Sequence, residues 1–311
     1  FQDIVERRPD AVSAWDTIAR IRWRQKDLAG AEEAAQKAQG VDPNDVASLL
    51  VLAEASLERS SYEQAVGYAD KVLELTQDRD QHRDQRSHAL EAKGRALLLL
   101  GHRPEAEEAF RTMQEENPGS SRVRRRWAWV LVSRGDFVAA EHLAGETLET
   151  EPCDVDALTV RGIARFAQNR YDPSIQDFRA AIGCDPDSIN AYVWLGQSQE
   201  RIGNVNGAEK WFRQAIARKP DAYSARFWLG KLLVGRGRFP EALAEFDAVQ
   251  KIVRESGRPL MDVPEYRQSM FERARAYSLM DRPDEAIRVS LELVEALPES
   301  TACLLYTSPS P

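Results

Sequence analysis

Few side chains in this sequence are spaced for chemistry. Four histidines, His82, His88, His102 and His142, share no HxxxH or HExxH spacing, so no two imidazoles fall on one helix face to hold a metal, and solvated surface positions account for them. Cys153, Cys184 and Cys303 lie far apart with no CxxC pair. Neither a disulfide framework nor a thiolate zinc site is expected, a pattern compatible with a reducing compartment and slightly favouring the cytoplasm. No serine sits in a GxSxG elbow, and no cysteine has a histidine near enough in sequence to suggest a nucleophile. The nearest approach to a phosphate loop, the stretch GRGRFP at 235–240, lacks a preceding strand and runs into Pro240. Carboxylates are abundant, but in segments this charged they serve as solvated faces or as partners for basic residues one helical turn away. The expectation is therefore no enzyme activity, no metal and no cofactor.

Charge narrows the partners. A formal net charge of -8 and a pI near 5.3 oppose general binding to nucleic acid or an anionic membrane, because the long-range field repels phosphate. No apolar run approaches the roughly 20 residues that span a bilayer, and FQDIVERRP at the start lacks the basic-then-apolar order of a signal peptide.

The elements that position these residues are set by a period. Pro9 to Pro43, Pro118 to Pro152, Pro152 to Pro186 and Pro186 to Pro220 are each 34 residues apart, which predicts stacked repeats. Counting from three residues after each such proline gives eight copies, starting at Val12, Val46, Ser87, Ser121, Val155, Ile189, Tyr223 and Arg267. Each reads as two amphipathic helices that end at proline, which cannot continue a helix. Two helices that cross closely need small side chains where they touch. The eighth place holds Ala19, Ala53, Gly94, Ala128, Gly162, Gly196, Gly230 and Ala274; the twentieth holds Ala31, Ala65, Ala106, Ala140, Ser174, Ala208, Ala242 and Ala286. A column that never departs from small residues is a packing constraint, and a larger side chain there overpacks the crossing.

With Trp15 or Tyr192 early in the first helix, the LG pairs at 195 and 229, Tyr62, Phe137, Tyr171 and Phe239 at the turn, Phe110, Phe178, Phe212 and Phe246 in the second helix, and the closing prolines, the chain resembles a tetratricopeptide repeat protein from Val12 to Ser300. The resemblance implies an all-α fold, a right-handed α-α superhelix of about eight complete hairpins. Residues 1–11 read as the second-helix remnant of a preceding repeat, as in a fragment truncated at both ends. Residues 12–79 are repeats 1 and 2, 80–86 an insertion, 87–256 repeats 3 to 7, 257–266 a second insertion and 267–300 repeat 8. Residues 301–311 start a ninth copy and then abandon the pattern in a disordered or non-native tail. The second and seventh copies lack the closing proline, with Gln77 and Arg254 in its place, and these are the copies followed by insertions. The first insertion is charged and reads as a loop or an extension of its flanking helices. The second carries Leu260, Met261 and Val263, which suggests that it folds back on the array.

First helices line the concave side of such an array, so their inward places are the candidate partner site. They supply Arg20, Arg24, Arg95, Arg122, Arg125 and Arg126 among Asp16, Glu54 and Glu91, then Trp129, Ile163, Phe166, Val193, Trp194, Gln197, Phe227, Trp228, Lys231, Phe271 and Arg275. The expected role is a non-catalytic scaffold that binds a peptide or partner helix, its acidic part meeting the arginines and its apolar anchors meeting the aromatics. Trp194 and Trp228 also suit packing between neighbouring first helices, and Trp127 suits the core. A subclass of this family grips a C-terminal carboxylate with Lys and Asn; the fifth places hold no Lys and the ninth no Asn, so that clamp is not expected. The alternative is a substrate-recruiting arm of a larger glycosyltransferase or sulfotransferase whose catalytic domain lies outside this chain.

Overall fold

The computed structural model describes residues 7, 8, 10–78, 81–256, 260 and 263–296. The chain divides into two compact units, Phe1–Thr147 and Leu148–Pro311, and the described residues form sixteen helices and no strand. In the first unit α1 (Val12–Arg24) packs on α2 (Leu28–Val41), α3 (Val46–Glu58) on α4 (Tyr62–Leu75) and α5 (Arg83–Leu99) on α6 (Arg103–Glu116); α7 (Ser121–Arg134) and α8 (Phe137–Thr150) complete it, α8 running through the boundary. In the second, α9 (Val155–Ala167) packs on α10 (Tyr171–Cys184), α11 (Ile189–Arg201) on α12 (Val205–Arg218), α13 (Tyr223–Gly235) on α14 (Phe239–Glu255) and α15 (Pro264–Leu279) on α16 (Pro283–Ala296). Odd-numbered helices are the first of each hairpin and even-numbered ones the second.

All eight hairpins turn by one device. The fifteenth residue of each repeat has left-handed backbone: Gly101, Gly135, Gly203 and Gly237 at φ 70° to 86°, and Lys26, Ser60, Asn169 and Asp281 at φ 57° to 62°. The next residue then donates its N–H back to the carbonyl five residues earlier, from Asp27 to Arg22 at 3.0 Å through Arg282 to Tyr277 at 3.0 Å, which satisfies a carbonyl that the helix end would leave bare. Lys26 and Ser60 lack the short amide or carboxylate that eases this conformation for Asn and Asp. The packing of the two helices they join holds them in it.

The crossings show a coupling that the small-residue columns do not announce. Wherever the eighth place is glycine, the twenty-fourth is phenylalanine: Gly94 with Phe110, Gly162 with Phe178, Gly196 with Phe212, Gly230 with Phe246. A β-carbon on any of these glycines would stand 2.4–2.5 Å from the ring, and each ring is buried. Where the eighth place is Ala19, Ala53 or Ala128, the twenty-fourth is Ala35, Ala69 or Ala144, all buried as well. Phenylalanine fills the crossing only if the facing helix gives up its side chain.

Where the closing proline is missing, the ends differ. α14 runs 17 residues against 14 in α12, since nothing stops it at Arg254. After α4, buried Arg86 takes the proline's role: its Nη1 donates to the carbonyls of Leu73 at 3.2 Å and Thr76 at 2.8 Å, and its Nη2 pairs with Glu116 Oε1 at 2.8 Å. Part of each insertion is helical, because α5 begins at Arg83 and α15 at Pro264. Leu260 and Val263 pack on the core of the second unit, and Met261 lies outside the described residues.

One expectation is corrected. Cys153 and Cys184, read as separate thiols, form a disulfide with their Cα atoms 5.5 Å apart. Their separation of 31 residues is nearly one repeat, so a hairpin that leaves and returns brings its two ends together. Cys303 lies outside the described residues.

Candidate partner-binding site

In the first unit, α1, α3, α5 and α7 line a cavity of about 420 Å³. Its floor is Leu50 and Val51 from α3 with the half-buried Trp23 of α1, and its walls carry Arg20 and Arg24 from α1, Arg95 from α5, and Arg122 and Arg126 from α7. Two carboxylates, Glu54 and Glu91, stand among these five guanidinium groups. Four first helices from successive repeats thus place residues of similar register side by side.

The carboxylates organise part of the basic set. Glu91, whose side chain is only 4% exposed, accepts from Arg122 Nη2 at 2.8 Å and Arg126 Nε at 2.7 Å. Glu54 Oε2 accepts from Arg95 Nη1 at 3.0 Å. Burial raises the pKa of Glu54 in spite of Arg95, and neighbouring Glu91 raises it further. His88 lines the same cavity against Arg122; burial, then that guanidinium, lower its pKa and favour the neutral ring. Among the described residues Arg20 and Arg24 form no salt bridge; both line the cavity, and Arg20 also acts electrostatically on Asp16 one helical turn before it. Such groups favour an incoming carboxylate, with which a guanidinium forms paired hydrogen bonds.

The expected site residues separate by burial. Arg20, Arg95 and Arg122 line the cavity, as does Arg126; Arg125 and Trp129 sit half-buried on α7 without lining it. In the second unit Ile163, Val193, Gln197 and Phe227 are buried, packed beneath the surface they were expected to form. Partly exposed rings remain above them. Phe166 of α9 meets Trp194 of α11 edge to face at 5.4 Å, Trp228 packs on Phe227 at 5.4 Å, and Lys231 Nζ lies 4.7 Å from the Trp228 ring centre. Phe271 is 43% exposed, and Arg275 beside it bonds Glu272 at 3.2 Å. Of the signature residues, Gly94, Ala106, Gly162, Gly196, Ala208, Gly230 and Ala242 are buried and Ala286 is half-buried. Trp127, expected in the core, is half-buried against it.

Sequence reasoning overlooked Trp23 and His88. The signal for His88 was present, since it stands one 34-residue period before Arg122 at the same place of its repeat. Among the described residues no three His, Cys, Asp or Glu side chains are grouped to hold a metal, and no helix is long and apolar enough to cross a membrane.

Comparison with known families agrees with this geometry. A tetratricopeptide repeat model matches residues 1–45, 17–82, 125–189 and 193–259, together more than half of the chain, so the chain belongs to the tetratricopeptide repeat family. Among solved structures it is similar to a tetratricopeptide repeat protein from Parabacteroides merdae, at 17% identity and a TM-score of 0.63, covering 78% of this chain and 93% of that one. It is also similar to pilF of Pseudomonas aeruginosa, at 18% identity and a TM-score of 0.53, covering 73% of this chain and 97% of that one. At these identities the likeness shows the fold. No curated protein matches the sequence significantly. The family's repeats generally mediate protein–protein interaction, so protein partners are the general expectation for this chain.

Proposed function

We propose that this chain is a non-catalytic scaffold that holds a peptide or a partner helix presenting acidic and apolar anchors. The observation that carries the reading is the cavity of the first unit, where five arginines outnumber two glutamates in a chain whose net charge is -8. A basic recess that runs against the charge of its own protein fits an acidic ligand, and its Trp23, Leu50 and Val51 floor fits an apolar side chain beside the acid. The half-exposed rings of the second unit, Phe166, Trp194 and Trp228, with Phe271 and Lys231, offer further apolar anchor points.

The test uses fluorescence anisotropy of a labelled library of acidic peptides, each carrying one aromatic residue, against the full chain. Arg20→Glu with Arg24→Glu is the informative variant, because among the described residues neither forms a salt bridge. Affinity is expected to fall at least about tenfold and its salt dependence to flatten. Unchanged affinity and salt slope for the bound peptides would count against the cavity as the site.

A further inference from the structure

The Cys153–Cys184 pair closes one hairpin at its base. Cys153 precedes Asp154, the residue that caps α9 by accepting from Ala157 N at 2.7 Å, and Cys184 is the last residue of α10. The bond therefore joins the chain just before the hairpin to the chain just after it. One period later the same two places hold Asp187 and Arg218, which form a salt bridge at 3.3 Å. Two repeats before the disulfide, the place equivalent to Cys184 holds Glu116, which pairs with Arg86 one residue from the other place. Three hairpins are thus tied at the base, by a buried ion pair, an exposed ion pair and a covalent bond, so the geometry of the repeat itself brings these two places within reach. A Cα separation of 5.5 Å lies at the centre of the range a disulfide requires, and no movement of backbone is needed to form it.

We infer that Cys153 and Cys184 are a native covalent closure site, and that this protein works in an oxidising compartment. The two thiols give up two protons and two electrons as the S–S bond forms. The electrons pass to a protein or small-molecule disulfide of that compartment, which is reduced to two thiols. Cys153 is exposed and open to such an oxidant, and Cys184 is half-buried behind it. In a reducing compartment the exposed pair would be returned to thiols, and the hairpin base would rest on non-covalent packing alone. This inference is independent of what the first unit binds, since both cysteines lie in the second.

Two measurements on the full chain test it. Cells that produce the protein from its own gene are quenched in acid, alkylated with N-ethylmaleimide and digested. Mass spectrometry is expected to find a linked pair of peptides carrying Cys153 and Cys184, with neither alkylated; alkylation of both, or linkage of either to Cys303, overturns the proposal. With the purified protein, adding a phosphine reductant is expected to lower the unfolding temperature by roughly 5–10 °C, because the reduced chain regains the freedom of a loop of about 30 residues. The Cys153→Ser, Cys184→Ser variant should unfold at the lower temperature with or without reductant. The reductant comparison on the unaltered chain needs no variant to fold, and an unchanged temperature there overturns the structural role of the bond.

Discussion

In the first unit three of four hairpin crossings set alanine against alanine, whereas in the second three of four set glycine against a phenylalanine ring. The cores follow the crossings. Tyr192 to Leu293 contribute to one continuous apolar cluster in the second unit, with Phe212, Phe227 and Phe246 among its fully buried members. The first unit divides its described core into smaller clusters rich in alanine, such as Ala14, Ala19, Ala34 and Ala35 with Leu52. Both units bury charge beside these cores: Arg86 with Glu116 at the base of α6 and Asp16 near Asp45 in the first, Asp177 between Arg161 and Arg165 in the second. One hairpin geometry therefore accepts two ways of filling its crossing, by matched small side chains or by an extreme pair of none and large. The eighth crossing sets Ala274 against Ser290, and none of the eight sets alanine against a ring.

That contrast is open to attack, and the largest effect belongs to the rings. Phe212→Ala should cost about 3–5 kcal/mol, from lost burial and an unfilled cavity. Gly196→Ala alone should cost about 1–3 kcal/mol, since its methyl meets a ring with no room to retreat. The double variant recreates the alanine pair of the first unit, so its cost should fall well below the sum of the two. Urea unfolding of the four proteins in a double-mutant cycle measures the coupling, and additive costs would show that ring and glycine are independent.

In the first unit the corresponding weak point is a charge. Arg86→Met should cost about 3 kcal/mol, because the buried Glu116 carboxylate loses its paired bonds to this guanidinium and the end of α4 loses its donor. Urea unfolding of the variant beside the unaltered chain measures the loss, and a cost below about 1 kcal/mol would show that the pair contributes little.

A smaller effect is expected at Asp16. Burial, and then the nearby Asp45 carboxylate, raise its pKa from 3.8 to about 7. Because the folded form holds this proton more tightly than the unfolded chain, the group adds stability that is complete below pH 3.8 and lost as pH rises through about 7. Asp16→Asn should therefore raise the unfolding temperature at pH 8 and change it little at pH 5. Equal shifts at the two pH values would show that the carboxylate does not titrate in this range.

Much of the fold was legible because it repeats. The proline ruler and the two small-residue columns register local sterics that recur every 34 residues, so each copy reports the same constraint again. The candidate site was legible only in part. Arg20, Arg95 and Arg122 stand where the repeat register places them, but register alone does not separate Val193 and Phe227, buried under their neighbours, from Trp194 and Trp228 beside them, which keep part of their rings in solvent. Burial depends on what the adjacent hairpin lays across a position, and that side chain is a whole period away in sequence.

From sequence alone came the period, the helical pairs, the turn positions and the family, all consequences of backbone sterics and of the small residues a close crossing demands. The matching of glycine to phenylalanine, the joining of Cys153 to Cys184, and the split of the arginines into those held by Glu54 or Glu91 and those that line the cavity without a salt bridge came from the folded chain. Each is a distance between residues about 16 to 40 positions apart, and such distances exist only once the hairpins have closed and stacked.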